Sequence, residues 1–313
     1  MRNKSLIIAH RDADGITSAI GFSCLSLEKE QSITKPTLKL IFKNFDILDI
    51  QYSDEFHELI EARKIKLSNY NKVIILDYTV PTQVMRELYD LFKENLIWID
   101  HHKRTYQRVE AELSDIDIKG LREDSVSASV LVYQYFNKEP TSFARYISDM
   151  DLWKWELPSS RDFIAGVINF ETRFKEEQYK YILNLINDTK FKSKFKIIVK
   201  RGIAIREYQK DYVKSIIGLG KVVMFEGYKA FIINTIFFPG LISDYIFEDK
   251  NYKDVDIIIV WKREYSTNKD YVSLRSKEIN LTSIAGKYGG GGHPNACGIA
   301  LKDIKELDIK EIN

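Results

Sequence analysis

The sequence predicts an α/β protein: an N-terminal parallel sheet with helices on both faces, a helical linker, and a smaller α+β domain. Three observations carry this reading. Short β-branched runs alternate with longer amphipathic stretches through the first half. Lys-rich helical periodicity fills the middle, and strand-like patterning returns after Gly218 and Gly220. At about 100–200 residues per domain, a chain of 313 residues fits two domains. The expected division is 1–188 for the first domain, 189–220 for the linker and 221–313 for the second.

Leu6 to Ala9 reads as a buried strand, and Gly15 to Leu27 as the helix that follows it. Leu38 to Asn44 reads as a second strand and Glu55 to Lys66 as a helix. Lys72 to Asp77 is a strand, Pro81 to Asn95 a helix with proline at its first turn, and Leu96 to Asp100 another strand. Runs that are apolar on both faces signal a parallel sheet covered by helices. Ser125 to Phe136, Phe143 to Ser148, Phe174 to Ile186 and Lys194 to Ile217 carry helical periodicity. Beyond them, Val222 to Phe225, Lys229 to Asn234, Val255 to Arg263, Tyr271 to Arg275 and Ile299 to Leu301 read as strands, with a helix over Leu281 to Lys287.

The composition, 44% hydrophobic and 29% charged, is that of a globular protein and excludes a disordered one. Lys plus Arg is 47 against 45 for Asp plus Glu, so a net charge of +2 exerts no strong pull on nucleic acid or membrane. Cys24 and Cys297 are the only cysteines, which argues against a disulfide framework or a cysteine zinc site. Leu6 to Ala9 is shorter than the roughly 7–15 apolar residues of a secretory signal, and no apolar run approaches the roughly 20 of a membrane span. A cytoplasmic protein without a membrane partner is expected.

The informative residues gather at strand ends. His10, Asp12 and Asp14 follow the first strand, Asp77 ends the Val73 to Leu76 strand, and Asp100, His101 and His102 follow Leu96 to Ile99. Ligands of open α/β sheets bind outside the carboxyl ends of the strands. Carboxylates crowded there stay ionised only if cations neutralise them. Mixed carboxylate and imidazole donors suit Mn²⁺, and Mg²⁺ or Zn²⁺ less well. The candidates are too numerous for one ion, so two ions about 3.5–4 Å apart with a bridging carboxylate are expected. A single Asp at a strand end is usually a helix cap or turn residue; the joint pattern is what points to metal.

These motifs resemble the DHH phosphoesterase superfamily. His10-x-Asp12-x-Asp14-Gly15, Asp77 and Asp100-His101-His102 match its first three motifs, and Ser148-Asp149-Met150-Asp151-Leu152-Trp153 its fourth. The stretch from Gly289 to Gly298, with Gly290, Gly291, Gly292 and His293, is similar to the glycine-rich motif of the associated DHHA1 domain. The resemblance implies two divalent ions, Mn²⁺ first, with Mg²⁺ or Co²⁺ as alternatives. It would place His10, Asp12 and Asp77 on one ion, and Asp14, Asp77, His101 and Asp149 on the other. Asp149 is preferred over Asp151, which could instead cap the segment beginning at Leu152. Asp100 would orient a histidine, and His102 would face the substrate or the attacking water.

The glycine run, His293 and Arg275 would hold a phosphate of the substrate. The implied function is hydrolysis of phosphoester bonds in short nucleotides: oligoribonucleotides, linear dinucleotides or 3′,5′-bisphosphorylated adenosine. A single-strand exonuclease, or a non-catalytic nucleotide-binding protein on the same scaffold, stays as the alternative, and a homodimer stays open. His57 reads as a surface residue. The basic run Lys190 to Lys196 reads as a solvated face in preference to a polynucleotide contact, and Trp153 and Trp155 as packing in preference to a stacking surface.

Overall fold

The structure is a computed structural model that describes residues 4–51, 56–62, 64–167, 175–236 and 238–312. Glu55 and Phe174, at the ends of two expected helices, lie outside the described residues, as does the side chain of His293. Two compact units divide the chain, Met1–Ile203 and Ala204–Asn313.

The first unit opens with β1 (Lys4–His10), α1 (Ala13–Gln31), α2 (Leu38–Asn44), β2 (Phe45–Ile50) and α3 (Phe56–Ala62). β3 (Tyr70–Leu76), α4 (Thr82–Phe92), β4 (Leu96–Ile99) and α5 (Lys103–Glu112) complete the βα alternation. α6 (Ala128–Tyr135), α7 (Ser142–Asp151), α8 (Ser160–Gly166), α9 (Lys175–Ile186) and α10 (Asp188–Ile216) follow, and the boundary between the units falls inside α10. The sheet has four strands in the order β2-β1-β3-β4, all parallel.

Strand side chains alternate between two buried faces, as the two-sided apolar runs predict. On one face Leu6, Ile8, Val73, Ile75 and Trp98 pack with Met85 and Leu88 of α4 and Val109 of α5. On the other, Ile7, Ile74, Leu76 and Ile99 pack with Ala19 and Phe22 of α1 and Leu131 of α6. The inter-strand register sets the carboxyl ends of β1, β3 and β4 side by side, with Ala9 opposite Leu76 and Leu76 opposite Ile99.

Leu38 to Asn44 is a helix, not the expected strand. Thr37 caps it by accepting the Leu40 amide, and Ile41 is its only fully buried residue. The second strand is instead Phe45–Ile50, an edge strand whose Asp46 and Asp49 interrupt the apolar run that would have marked it. The aromatics of the basic run turn inward: Phe191 is buried in a cluster with Phe143 and Phe163, against which Phe195 packs.

The second unit holds β5 (Lys221–Phe225), β6 (Tyr228–Asn234), α11 (Pro239–Glu248), β7 (Ile257–Glu264), β8 (Lys269–Ser276), α12 (Thr282–Lys287), β9 (Gly291–His293), β10 (Ala296–Leu301) and β11 (Ile309–Glu311). Its sheet has seven strands in the order β11-β5-β6-β7-β8-β10-β9, and only β6 and β7 run parallel. The glycine run is therefore partly a strand. Gly292 has φ of 141°, and a Cβ there would lie 2.4 Å from the Ala296 carbonyl oxygen, so the tight β9–β10 turn requires glycine.

Candidate metal centre

His10 ends β1, and Asp12 caps α1 by accepting the Gly15 amide at 2.9 Å. The other oxygen of Asp12 lies 2.8 Å from His10 Nδ1, while His10 Nε2 lies 3.2 Å from Gln51 Oε1. Gly15 makes this turn possible, because a Cβ there would fall 2.2 Å from the His10 carbonyl oxygen. Against burial, which would raise it, the His10 hydrogen bond holds the Asp12 carboxyl below its usual range.

Asp77 follows β3 with φ of 54°, a left-handed conformation uncommon for any residue other than glycine, and its amide donates to the Ile99 carbonyl at 2.9 Å. Its carboxylate is buried, and neither oxygen has a hydrogen-bond partner among the described residues. His101 Nε2 is 3.1 Å from Oδ1, and His10 Nδ1 is 3.8 Å from Oδ2. Burial, and then Asp12, Asp14, Asp151 and Asp100, push the Asp77 carboxyl well above the usual value.

Asp14, in the first turn of α1, reaches across to the start of α6. It accepts the Ser127 hydroxyl at 2.6 Å, the Ala128 amide at 2.8 Å and the Ser129 amide at 3.1 Å. A carboxylate has about four acceptor sites, so capacity for a cation remains. His101 Nε2 lies 3.9 Å from Asp14 and 3.2 Å from Asp151 Oδ2. Burial lowers the His101 pKa and raises that of Asp151, the latter helped by Asp14 and Asp12.

Asp100 Oδ1 lies 2.7 Å from His102 Nδ1 and accepts the His102 amide at 3.1 Å; the Thr79 hydroxyl donates to Oδ2 at 2.5 Å. Burial would lower His102, but Asp100 outweighs it and raises the imidazole above its ordinary value. This is the geometry of a carboxylate that fixes the tautomer and orientation of a ring.

The structure thus brings His10, Asp12, Asp14, Asp77, Asp100, His101 and His102 to one sheet edge. It does not bring Asp149. That carboxylate accepts the Glu156 amide at 2.8 Å and the Leu157 amide at 3.4 Å, bracing the loop after α7. Asp151, not Asp149, stands within reach of Asp14 and His101. Gln51, Thr79 and Ser127, which orient His10, Asp100 and Asp14, lie outside the sequence motifs; the Ser125-x-Ser127-x-Ser129 spacing before α6 is the one local signal for them. His57 is exposed, 3.5 Å from Glu87 on the surface.

Among the described residues, potential ligand atoms form three groups, each within 4.8 Å: His10, Asp12 and Asp77; Asp14, His101 and Asp151; Asp77, His101 and His102. The Asp77 oxygens, without a hydrogen bond among the described residues, and the oxygen–nitrogen donor set fit divalent cations.

In the second unit Arg275 of β8 and His293 of β9 both pair with Ala296 of β10, forming one row across the sheet. Arg275 donates to the Leu274 carbonyl at 2.8 Å, and burial lowers its pKa from the usual guanidinium value.

Residues 4–151 match the N-terminal domain of the DHH family, and residues 229–313 match the DHHA1 domain. The chain belongs to the DHH phosphoesterase superfamily. Among similar proteins, an uncharacterized protein of Acanthamoeba polyphaga mimivirus is 28% identical over 254 residues, 77% of this chain and 55% of that protein. The oligoribonuclease NrnB of Bacillus subtilis is 23% identical over 234 residues, 68% of this chain and 55% of that protein. These alignments thus span about half the length of both relatives. The pGpG-specific phosphodiesterase PggH of Vibrio cholerae shares the fold, with a TM-score of 0.53 at 14% identity over 97% of this chain and 94% of that one. Among the described residues, no helix is long and apolar enough to cross a membrane.

Proposed function

We propose that this chain hydrolyses phosphoester bonds of short nucleotides with two divalent ions, Mn²⁺ first and Mg²⁺ or Co²⁺ as alternatives. Its substrates are oligoribonucleotides of a few residues, linear dinucleotides or 3′,5′-bisphosphorylated adenosine. One observation carries the reading: buried Asp77, with no hydrogen bond to either oxygen among the described residues, stands between His10 with Asp12 on one side and His101 on the other. A buried carboxylate in that state remains charged only beside cations.

His10, Asp12 and Asp77 would hold one ion, and Asp14, His101 and Asp151 the other, with Asp77 shared. When bound, such ions supply a water activated near neutral pH and offset charge on the phosphoryl oxygens. Asp100 holds the His102 ring by Nδ1, which orients the imidazole to donate to a phosphoryl oxygen or move a proton. Arg275, Gly290, Gly291, Gly292 and His293 are assigned to a phosphate that is not cleaved, since a guanidinium and a glycine backbone both accommodate anions. The naming of NrnB as an oligoribonuclease supports this substrate class. So does the net charge of +2, which provides little attraction for a long polymer.

The test is a product assay under Mn²⁺ with di- to pentaribonucleotides, linear dinucleotides, bisphosphorylated adenosine and a 20-mer. Turnover of short substrates by the native chain, lost in Asp77→Ala, is expected. Survival of every short substrate overturns the reading, and faster cleavage of the 20-mer than of a 3-mer favours the exonuclease.

A further inference from the structure

We propose that the indole of Trp153 is a stacking platform for the nucleobase adjoining the phosphate at the metal centre. The inference deepens the phosphoester reading and rests on it. Trp153 is 61% exposed and belongs to none of the hydrophobic clusters formed by the described residues, so packing does not account for it. Its neighbours hold it from one side. Trp155 meets it edge to face with ring centroids 5.1 Å apart, and the Arg161 guanidinium lies 4.7 Å above the Trp155 ring.

The backbone beneath the pair is unusual. Trp153 and Trp155 have φ of 56° and 57°, a region that bulky side chains scarcely enter. Such strain persists where the surroundings over-determine it, and it concentrates at functional sites. Here the determinants are visible. The Trp153 amide donates to Met150, the Lys154 and Trp155 amides donate to the Asp149 carbonyl, and the Asp149 carboxylate takes the next two amides. Lys154 Nζ then ties the loop to the Ser125 carbonyl at 2.9 Å, close in sequence to Ser127, which orients Asp14.

Position supplies the occupant. Asp151 Oδ2 sits 3.2 Å from His101 in the metal cluster, and Trp153 is two residues further on. Two residues of chain span at most about 7 Å, so the Trp153 backbone stands within that reach of Asp151, whose carboxylate belongs to the metal cluster. Every base has a π-face, so the platform accepts any unstacked base and binds purines more strongly than pyrimidines.

The test compares wild type, Trp153→Ala and Trp153→Phe on a diadenosine monophosphate and on the same diester with abasic riboses. Trp153→Ala should raise KM for the dinucleotide about tenfold, with kcat within about twofold, and leave the abasic diester unaffected. Trp153→Phe should restore most of the loss. In parallel, the dinucleotide should quench indole fluorescence of the full chain in Ca²⁺, and Trp153→Phe should remove that quench. If wild type cleaves neither substrate, the hydrolytic reading fails, and the fluorescence arm still decides the stacking. An unchanged KM in Trp153→Ala, an equal loss on the abasic diester, or a quench that survives in Trp153→Phe overturns the proposal.

Discussion

Asp151 Oδ2 lies 3.2 Å from His101 Nε2, whereas Asp149, two residues earlier in α7, turns its carboxylate to the amides of Glu156 and Leu157. On a helix, positions two apart point about 200° away from each other, so only one of the two can face the cluster. Asp151→Asn should therefore lower Mn²⁺-dependent turnover by about a hundredfold or more, on the scale of losing a direct ligand. Asp149→Asn should keep Mn²⁺ binding and cost about 1–3 kcal/mol of stability through its buried hydrogen bonds. Metal titration and thermal melting of both variants check the pair; equal metal affinity for Asp151→Asn and wild type contradicts the assignment.

Asp77 is a liability to the metal-free fold, being buried, without a hydrogen bond to either carboxylate oxygen among the described residues, and surrounded by other carboxylates. Asp77→Asn should leave the metal-free melting temperature unchanged or higher, yet lack the rise expected of wild type on adding Mn²⁺. Scanning calorimetry with and without Mn²⁺ reads both effects, and a Mn²⁺-induced rise retained in Asp77→Asn would remove the bridging role.

The pH dependence has a definite sign. Burial and neighbouring carboxylates raise Asp77, and burial with Asp14 and Asp12 raises Asp151. For such groups the metal-free fold is most favoured below the unfolded carboxylate value of 3.8 and loses that contribution as pH rises through the raised value. Metal binding expels the same protons, so affinity should increase with pH and each binding event should release protons. Titration calorimetry in two buffers of different ionisation enthalpy should show this release, and the Mn²⁺-induced melting shift should be larger at pH 8 than at pH 5.

Ser127 donates to Asp14 at 2.6 Å and also accepts support from α7, its amide bonding Ser148 Oγ at 3.0 Å. Ser127→Ala should weaken metal affinity about 10–100-fold, the usual cost of losing a group that orients a ligand, while the melting temperature of the metal-free protein falls only modestly. Mn²⁺ binding isotherms distinguish this from a folding defect, and unaltered affinity would show that the two backbone amides alone orient Asp14.

The amino-acid sequence made the parallel sheet legible because β1, β3 and β4 are buried on both faces and read as unbroken apolar runs. The edge strand β2 was not legible, since Asp46 and Asp49 break its pattern while the neighbouring Leu38–Asn44 is apolar enough to imitate a strand. The site was legible where a residue type is scarce and stands at a strand end: four of the five histidines lie in the motifs singled out, and His10, His101 and His102 belong to the cluster.

What the sequence by itself determined is the chemistry available: carboxylates and imidazoles placed at the ends of strands whose register the hydrophobic pattern imposes. Only the tertiary structure decided which of them converge. The pairing of Asp14 with Ser127 joins residues 113 apart in sequence, and the choice of Asp151 over Asp149 depends on how α7 is rotated against α1. The latter leaves no local signal, because the rotation of a helix is set by the partners that bury its apolar side, here Phe143 and Ile147 of α7 against Ile16 and Ile20 of α1.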